Sequence, residues 1–384
     1  MQAECTVLVG TTKGTFLLRS DAARCNWQVS GPFCGGWPIN HVVGDPVSGH
    51  IWAAGGSEWT GAGVWFSDDG EGWQLTKLSN GKFDEWLVND PAFAAEMNLQ
   101  PDPPAPFTGA MDSLWSLHRV DGRLLAGAKP AALFESTDGG LVWQKVEGLT
   151  DHPSAPDWQP GGAGLVLHTI VSNPSDPVRL WVGISAAGVF ATEDGGASWD
   201  RRNRLSNAAC HAPHPGNSVQ DHETGHCVHN MVRAPGSPDR LYQQNHHGVF
   251  RSADGGRSWQ DITAGLPSHY GFPIAVHPRD PETLWVLPLN GDMAGRFPPD
   301  AAAAVWRSRD GGDSWQALRD GLPQVGCFFT VLRQAMATDQ SDPVGIAFGT
   351  NSGSVFYSRD EGDSWDEIAR HLPTVLSVEI LQRV

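Results

Sequence analysis

Short apolar segments recur along the whole chain, and each is followed by a turn. One begins at Thr6-Val7-Leu8-Val9, and another, Arg179-Leu-Trp-Val-Gly183, is soon followed by Gly188-Val-Phe190. Apolar runs of this length between turn residues are typical of β-strands, and no stretch shows the period of a long amphipathic helix. The pattern therefore predicts an all-β protein built from many short strands.

A second pattern, Ser/Thr-x-Asp-x-Gly-x-x-Trp, follows these strand pairs. Its complete copies are Ser136–Trp143, Thr192–Trp199, Ser252–Trp259, Ser308–Trp315 and Ser358–Trp365; Ser67–Trp73 is one residue shorter, and Ser20–Trp27 keeps the spacing but lacks the Asp and Gly. Ser and Asp side chains hydrogen-bond to nearby backbone, Gly supplies a positive φ, and the Trp re-enters the packed layer. Each copy is therefore predicted to close a hairpin.

Seven tryptophan-marked units predict a seven-bladed β-propeller with four strands per blade. Unit one begins directly at its second strand, whereas Val375–Leu381 is a strand left over after the last unit. We expect this C-terminal strand to pair with the first blade, because closing the ring removes exposed sheet edges. The predicted organisation is a single propeller domain over 1–384, with long rim loops at 77–111, 151–164 and 201–228.

Composition agrees with this prediction and excludes several classes of partner. The chain has 45 Gly, 28 Pro and 17 Trp, which fits short strands and tight turns, and its net charge of −17 would repel nucleic acid. No apolar stretch is long enough to span a membrane, and the N-terminus has no signal-peptide pattern. The six cysteines are scattered without Cys-x-x-Cys pairs. We therefore expect a cytoplasmic location, with neither nucleic acid nor membrane as a partner, while the oligomeric state stays open.

The repeated motif resembles the Asp-box, or bacterial neuraminidase repeat, superfamily, and the resemblance covers essentially the whole chain. The chain looks closest to bacterial propeller proteins described as sialidase-like or glycosyl-hydrolase-like. The resemblance implies that the boxes lie on the face opposite the ligand site, so that their carboxylates are structural; these are Asp138, Asp194, Asp254, Asp310 and Asp360. The superfamily contains both enzymes and binding proteins, so the repeat specifies the fold more closely than the reaction.

Sialidases resemble one another in an Arg-Ile-Pro signature, three arginines that grip the substrate carboxylate, and a Tyr/Glu nucleophile pair. This chain has no Arg-Ile-Pro and only three tyrosines, and most of its arginines lie beside the boxes. Sialic acid hydrolysis is therefore disfavoured.

Histidines are frequent where the first strands of the blades would begin and where their second and third strands would connect. Imidazoles gathered at one end of a propeller channel could bind Zn, Mn or Fe and leave a position for water. The predicted ligands are His41, His168, His229 and His246. The same histidines are also compatible with a polar channel that binds no metal, and the His-rich stretch from Cys210 to His229 with a solvated loop.

Other polar and aromatic residues fall on the same predicted face. Glu58, beside an aromatic residue that would limit access of water, is the candidate general acid or base, with Asp112 or Asp292 as a second carboxylate and His246 as a further catalytic group. The candidates for substrate binding are Trp37, Trp59, Lys129, Asn245, Tyr270 and Asn290. Packing or loop capping would equally account for several of these residues.

Two functions follow from these features. One is a hydrolase or lyase, glycoside hydrolase-like or metal-dependent, that acts on a carbohydrate or another small polar metabolite in the central pocket. The alternative is a propeller that binds or assembles partners without catalysis. The concentration of histidines favours the enzyme, because metal or proton chemistry needs such groups and a scaffold does not.

Overall fold

The computed structural model describes residues 5–206 and 227–383. Within these ranges the chain forms seven four-stranded antiparallel sheets. The innermost strand of each sheet contacts those of the two neighbouring sheets, in a cycle that returns from the last sheet to the first. The protein is a seven-bladed β-propeller, which confirms the fold class predicted from the sequence.

The blades follow one another along the chain, and each contains four strands, ordered from the innermost outwards. Blade 1 is β28 (Val375–Gln382), β1 (Cys5–Thr11), β2 (Gly14–Ser20) and β3 (Trp27–Phe33); blade 2 is β4 (Ile39–Gly44), β5 (Ile51–Ser57), β6 (Gly61–Ser67) and β7 (Gln74–Ser79); blade 3 is β8 (Ser113–Val120), β9 (Arg123–Lys129), β10 (Leu133–Ser136) and β11 (Gln144–Lys145); blade 4 is β12 (Leu167–Asn173), β13 (Asp176–Ile184), β14 (Gly188–Thr192) and β15 (Asp200–Arg201). Blade 5 is β16 (Val228–Arg233), β17 (Leu241–Asn245), β18 (Gly248–Ser252) and β19 (Gln260–Asp261); blade 6 is β20 (Gly271–Val276), β21 (Leu284–Pro288), β22 (Val305–Ser308) and β23 (Gln316–Leu318); blade 7 is β24 (Met336–Thr338), β25 (Ile346–Gly349), β26 (Val355–Ser358) and β27 (Asp366–Ala369).

The ring closes through β28, as the sequence predicts. This strand lies antiparallel to β1, with Cys5 opposite Gln382 and Val9 opposite Val378. It also contacts β4 and β24, the innermost strands of the two adjacent blades. The C-terminal strand therefore supplies the innermost strand that blade 1 lacks.

The repeated turns have the chemistry that their sequence predicts. In the copy of blade 6, Ser308 Oγ donates to Asp310 Oδ1 at 2.7 Å and accepts from the Gly312 N–H at 2.7 Å. Asp310 also accepts from the backbone and hydroxyl of Ser314. The hydrogen bonds of the Asp310 carboxylate are thus all made within its own hairpin. Gly312 has a φ of 100°, a value that favours glycine.

Tryptophan indoles join neighbouring blades. Trp181 of β13 donates to the carbonyl of Gly255 in the turn of blade 5, and Trp285 of β21 donates to the carbonyl of Glu361 in the turn of blade 7. Both rings are almost completely buried in the hydrophobic clusters between sheets. The core of the protein is therefore divided among the blade interfaces.

The innermost strands of blades 2 to 6 share an irregularity near their first residues. In β16 the register shifts between Val228 and Asn230, so that His229 has no partner on β17. The corresponding shifts fall at the starts of β4, β8, β12 and β20. A bulge of this kind re-aims a side chain, and here it recurs at one end of the central channel.

The segment predicted as a rim loop over 77–111 contains two short helices, α1 (Lys82–Asn89) and α2 (Pro91–Glu96). The Gly81 N–H donates to the Asp84 side chain, and Asp90 accepts from the Phe93 N–H, with Pro91 in the first turn. Both arrangements stabilise the start of a helix. The high content of Pro and Asn in this segment instead favours the prediction of a loop. A third helix, α3 (Glu147–Thr150), precedes the predicted loop 151–164. Across residues 5–206 and 227–383, none of the helices is both long and apolar enough to cross a bilayer.

Candidate functional site

The innermost strands of all seven blades enclose a central channel, a cavity of about 580 Å³. Its lining is rich in polar side chains, which include His41, His118, His168, Asn230, Gln334 and Glu379. We call the upper face the side on which the innermost strands begin. The connections between the second and third strands of each blade lie on the same face, because the strands run antiparallel.

On the upper face of blade 5, three potential metal ligands converge. Cys227 directly precedes β16, His229 lies at the bulge of β16, and His246 lies in the connection from β17 to β18. One ligand atom of each residue lies within 4.8 Å of the others. The Cys227 carbonyl accepts from the His246 N–H at 3.0 Å, which ties the two segments together. We call these three residues the Cys-His cluster.

A second polar group lies against the Cys-His cluster. Asp292 Oδ1 accepts from the Tyr270 hydroxyl at 2.6 Å and from Arg296 Nε at 2.6 Å. The other carboxylate oxygen lies 3.6 Å from His246 Nε2, and the rings of Tyr270 and His246 are 5.0 Å apart. Blade 6 therefore places a carboxylate, a phenol and a guanidinium beside the imidazoles of blade 5.

Arg333, which leads into β24, lies close enough to Cys227, Tyr270 and Asp292 for its charge to interact with these groups. Its guanidinium lies 5.0 Å from the centre of the Phe272 ring, and its Nε is buried without a hydrogen-bond partner. In the described part of the chain it forms no ion pair with a carboxylate. A half-buried arginine without an anionic partner attracts negative charge on a ligand.

Burial controls the protonation of these groups. It lowers the pKa of the His229 imidazole well below the ordinary value, and the Arg333 charge acts in the same direction. Burial also raises the pKa of the Cys227 thiol, and burial together with the hydrogen bond to Asp292 raises the pKa of Tyr270. At neutral pH the His229 imidazole is therefore uncharged, and Tyr270 retains its proton.

The structure brings only two of the four predicted metal ligands to ligand distance. His41 Nδ1 accepts from the Leu117 N–H at 2.9 Å, so its Nε2 donates to Glu379 at 3.3 Å. With both nitrogens engaged, His41 is a channel hydrogen-bonding group. His168 is buried, and its Nδ1 is hydrogen-bonded to the Thr169 hydroxyl at 2.9 Å. The prediction of one site from all four histidines is therefore corrected to His229 and His246.

Glu58 has surroundings different from those predicted. Its side chain is 72% exposed and forms an ion pair with Lys82 of α1. That ion pair lowers the pKa of Glu58, and the neighbouring Trp59 is itself 51% exposed. The expectation that an aromatic residue limits access of water to Glu58 is therefore wrong, and the carboxylate lies at the rim.

The other predicted residues are dispersed around the upper face. Asp112 is exposed, and its N–H donates to the Lys129 carbonyl. Trp37 packs edge-on against Trp65, at 5.8 Å between ring centres. Trp59 contacts Phe83 and Trp86 of α1.

Three predicted binding residues belong to blades 5 and 6. Asn245 is buried, and its side chain accepts a hydrogen bond from the His247 N–H. The Asn290 N–H donates to the Phe297 carbonyl, and the Tyr270 hydroxyl donates to Asp292. The ring of Tyr270 also packs against those of His229 and His246. Tyr270 therefore borders the Cys-His cluster directly.

Sequence reasoning missed Arg296 and Arg333 and assigned no ligand role to Cys227. The spacing Cys227-x-His229 was a usable signal, because residues two apart on a strand lie on the same face. No comparable signal marks Arg333, which reaches the Cys-His cluster from a different blade. Part of the predicted rim loop 201–228 lies outside the described residues. This part contains Cys210 and four histidines, His211, His214, His222 and His226.

No protein-family model matches the chain. The oligoxyloglucan-reducing end-specific xyloglucanase of Emericella nidulans is 25% identical over 221 residues, which is 50% of this chain and 25% of that protein. A second relative, a probable enzyme of the same name from Neosartorya fischeri, is 25% identical over 217 residues with the same coverage. The chain thus spans about a quarter of the length of these relatives.

Solved structures share the propeller fold. An ancestral GH74 enzyme superposes with a TM-score of 0.56 at 15% identity, over 86% of this chain and 38% of the other. YCF48 bound to D1 peptide gives 0.51 at 14% identity, over 86% and 80%. Citrobacter koseri AztD gives 0.55 at 11% identity, over 100% and 99%. At these identities the similarity concerns the fold alone.

Proposed function

We propose that this protein is a hydrolase or lyase that acts on a carbohydrate or another small polar metabolite. Its active site would lie on the upper face, where blades 5 and 6 meet. The observation that carries the proposal is the convergence of the Cys-His cluster, Asp292 and Arg333 from segments far apart in sequence. Such a set combines groups able to move a proton with a cation able to stabilise negative charge.

Within this site the side chains divide the work. Asp292 is the candidate proton acceptor, because Tyr270 and Arg296 hold one of its oxygens while the other faces His246. Arg333 is the candidate for binding a carboxylate or for stabilising charge that develops during the reaction. A substrate that carries both hydroxyls and a negative charge, such as an acidic sugar, fits this arrangement.

The relatives support the carbohydrate class. The xyloglucanase of Emericella nidulans and its counterpart from Neosartorya fischeri each align with half of this chain. We also propose that the blades are Asp-box repeats, since the Ser or Thr hydroxyl and the Asp carboxylate of their turns form the same hydrogen bond in blades 3 to 7.

The proposal is tested by assaying the purified protein on neutral and uronate-bearing oligosaccharides. Asp292→Asn should lower kcat by about 10²- to 10⁴-fold, the usual contribution of a positioned general acid or base. Asp366→Asn is the matched control, because Asp366 is an exposed carboxylate on the outer strand of blade 7. Equal activity of the two variants, or no turnover of any substrate class, would contradict the proposal and favour a binding propeller.

A further inference from the structure

We infer that Cys227, His229 and His246 form a binding site for one divalent transition metal, with zinc as the best match. The metal would occupy the space between the three ligand atoms and keep one position open. This inference deepens the proposed function and rests on it only for the role of the metal in catalysis; the binding site itself stands on geometry.

The separations suit a small thiophilic cation. Cys227 Sγ and His229 Nε2 are 3.7 Å apart. In a tetrahedral zinc site, with Zn–S about 2.3 Å and Zn–N about 2.0 Å, sulfur and nitrogen ligands lie about 3.5 Å apart. This pair therefore already has nearly the spacing of two ligands, and all three ligand atoms lie within 4.8 Å of one another.

The surroundings of His229 orient its free nitrogen toward the thiol. Its Nδ1 lies 2.5 Å from the Gly271 carbonyl, which can only accept, so Nδ1 carries the proton. The lone pair is then on Nε2, which faces Cys227. A backbone carbonyl that holds the second nitrogen of a ligand histidine is the usual support of a metal site.

The fold also fixes the other two ligands. The bulge in β16 leaves His229 without a partner on β17, and the hydrogen bond from the His246 N–H to the Cys227 carbonyl keeps the β17–β18 connection beside the thiol. Asp292, at 3.6 Å from His246 Nε2, can support the third ligand. The ligands thus come from two segments that are held in place independently of any metal.

The type of ligand selects among metals. One thiolate and two imidazoles favour zinc over magnesium, calcium or manganese, which prefer oxygen ligands. Three protein ligands with an open fourth position are typical of catalytic zinc sites, whereas structural sites have four. The open position of the metal would therefore be available to a ligand bound on the upper face of blade 5, next to Arg333.

The test is metal binding by the full chain in the absence of substrate. The chelator-treated protein should bind one equivalent of Zn²⁺ in calorimetry, and Co²⁺ in its place should give a thiolate charge-transfer band. Cys227→Ser should abolish this band and weaken zinc binding at least 10-fold. His246→Gln should also weaken zinc binding at least 10-fold. Cys25→Ser and His371→Gln alter an exposed cysteine and an exposed histidine and should leave both signals unchanged.

Absence of stoichiometric binding, or a Co²⁺ spectrum unaffected by Cys227→Ser, would overturn the inference. Circular dichroism of each variant separates loss of the site from loss of the fold, and the conservative Cys227→Ser keeps the size of the side chain. A protein that binds zinc through these residues but turns over no substrate would contradict only the proposed function. Turnover unaffected by metal removal, together with no binding, would contradict only the metal site.

Discussion

Asp292 illustrates how much a single side chain depends on its neighbours in this protein. It accepts two hydrogen bonds of 2.6 Å on one oxygen, from the phenol of Tyr270 and the guanidinium of Arg296. These bonds hold the pKa of Asp292 below its ordinary range despite partial burial, which acts in the opposite direction. The carboxylate is therefore both charged and oriented, whereas Glu58, with 72% exposure, is held only by a surface ion pair.

Replacing Tyr270 by Phe tests the strength of this arrangement. The variant loses a hydrogen bond to a charged group, and such bonds contribute about 1.5 to 3 kcal/mol to stability. We expect a loss at the lower end of this range in the free energy of unfolding by urea, since Asp292 is 35% exposed and water can replace the phenol.

Tyr242→Phe is the matched control for this measurement. Tyr242 is equally buried, but its hydroxyl donates to the neutral Pro281 carbonyl at 2.8 Å and not to a carboxylate, with Arg240 nearby. Its removal should cost only about 1 kcal/mol. A loss in Tyr270→Phe no greater than in Tyr242→Phe would show that Asp292 is not held by the phenol.

Residue identity alone predicts part of this site. His229, His246 and Tyr270 can be identified because imidazoles and aromatic residues stand out at the starts of strands. Arg333 cannot, because its role depends on the distance between blades, which the sequence does not contain. His41 shows that residue type can also mislead. It lies on the innermost strand of blade 2, as His229 does in blade 5, but both of its ring nitrogens are hydrogen-bonded, to Leu117 and Glu379.

At the level of elements, the repeated turn is the best-determined part of the chain. Every atom that makes it stable lies within a few residues of sequence, so its hydrogen bonds follow from the motif itself. The bulges at the starts of the innermost strands are different. They leave no signature in the apolar pattern, yet the bulge in β16 is what leaves His229 without a partner on β17.

The turn chemistry predicts a pH dependence. Hydrogen bonds from Ser314 and Ser308 lower the pKa of Asp310 from the ordinary 3.8 to about 2. Because the ionised form is favoured in the fold, the contribution of Asp310 is complete above about pH 4 and is lost as the pH falls toward 2. The urea midpoint of the wild type should therefore exceed that of Asp310→Asn at neutral pH, and the difference should shrink between about pH 4 and 2.

Asp342→Asn provides the comparison for this experiment, because the Asp342 carboxylate is 92% exposed. Its effect on the urea midpoint should be small. If the difference between the wild type and Asp310→Asn were constant from neutral pH down to about pH 2, the carboxylate would not be the source of the stability of the turn.

For the whole molecule, the number of blades and the closure of the ring could be predicted because both follow from counting. The tryptophans of the seven repeated turns mark seven units. The first unit lacks its first strand, and the strand Val375–Leu381 follows the last unit. Which side chains meet across blades could not be predicted, since loop lengths vary between repeats and set the relative positions of their ends. The Cys-His cluster forms within one blade, but the groups around it come from blades 6 and 7.

Closure by β28 leads to the last prediction. Removal of 375–384 would leave β1 with an unpaired edge and would uncover Val7 and Val9, which are completely buried. An open apolar strand edge pairs with other chains, so the truncated protein should form oligomers in size-exclusion chromatography and become sensitive to proteases. Removal of 383–384 alone spares β28 and should leave the protein unchanged.

A synthetic peptide with the sequence of β28 extends the same argument. If the missing strand is the cause, the peptide should add to the edge of β1 and restore protease resistance, whereas a scrambled peptide should not. A truncated protein that stayed monomeric and unfolded at the wild-type urea concentration would show that the ring does not depend on this strand. Because the innermost strands lie around one channel, opening the ring should also loosen the packing between blades 5 and 6 and reduce zinc binding by the Cys-His cluster, although none of its residues has been altered.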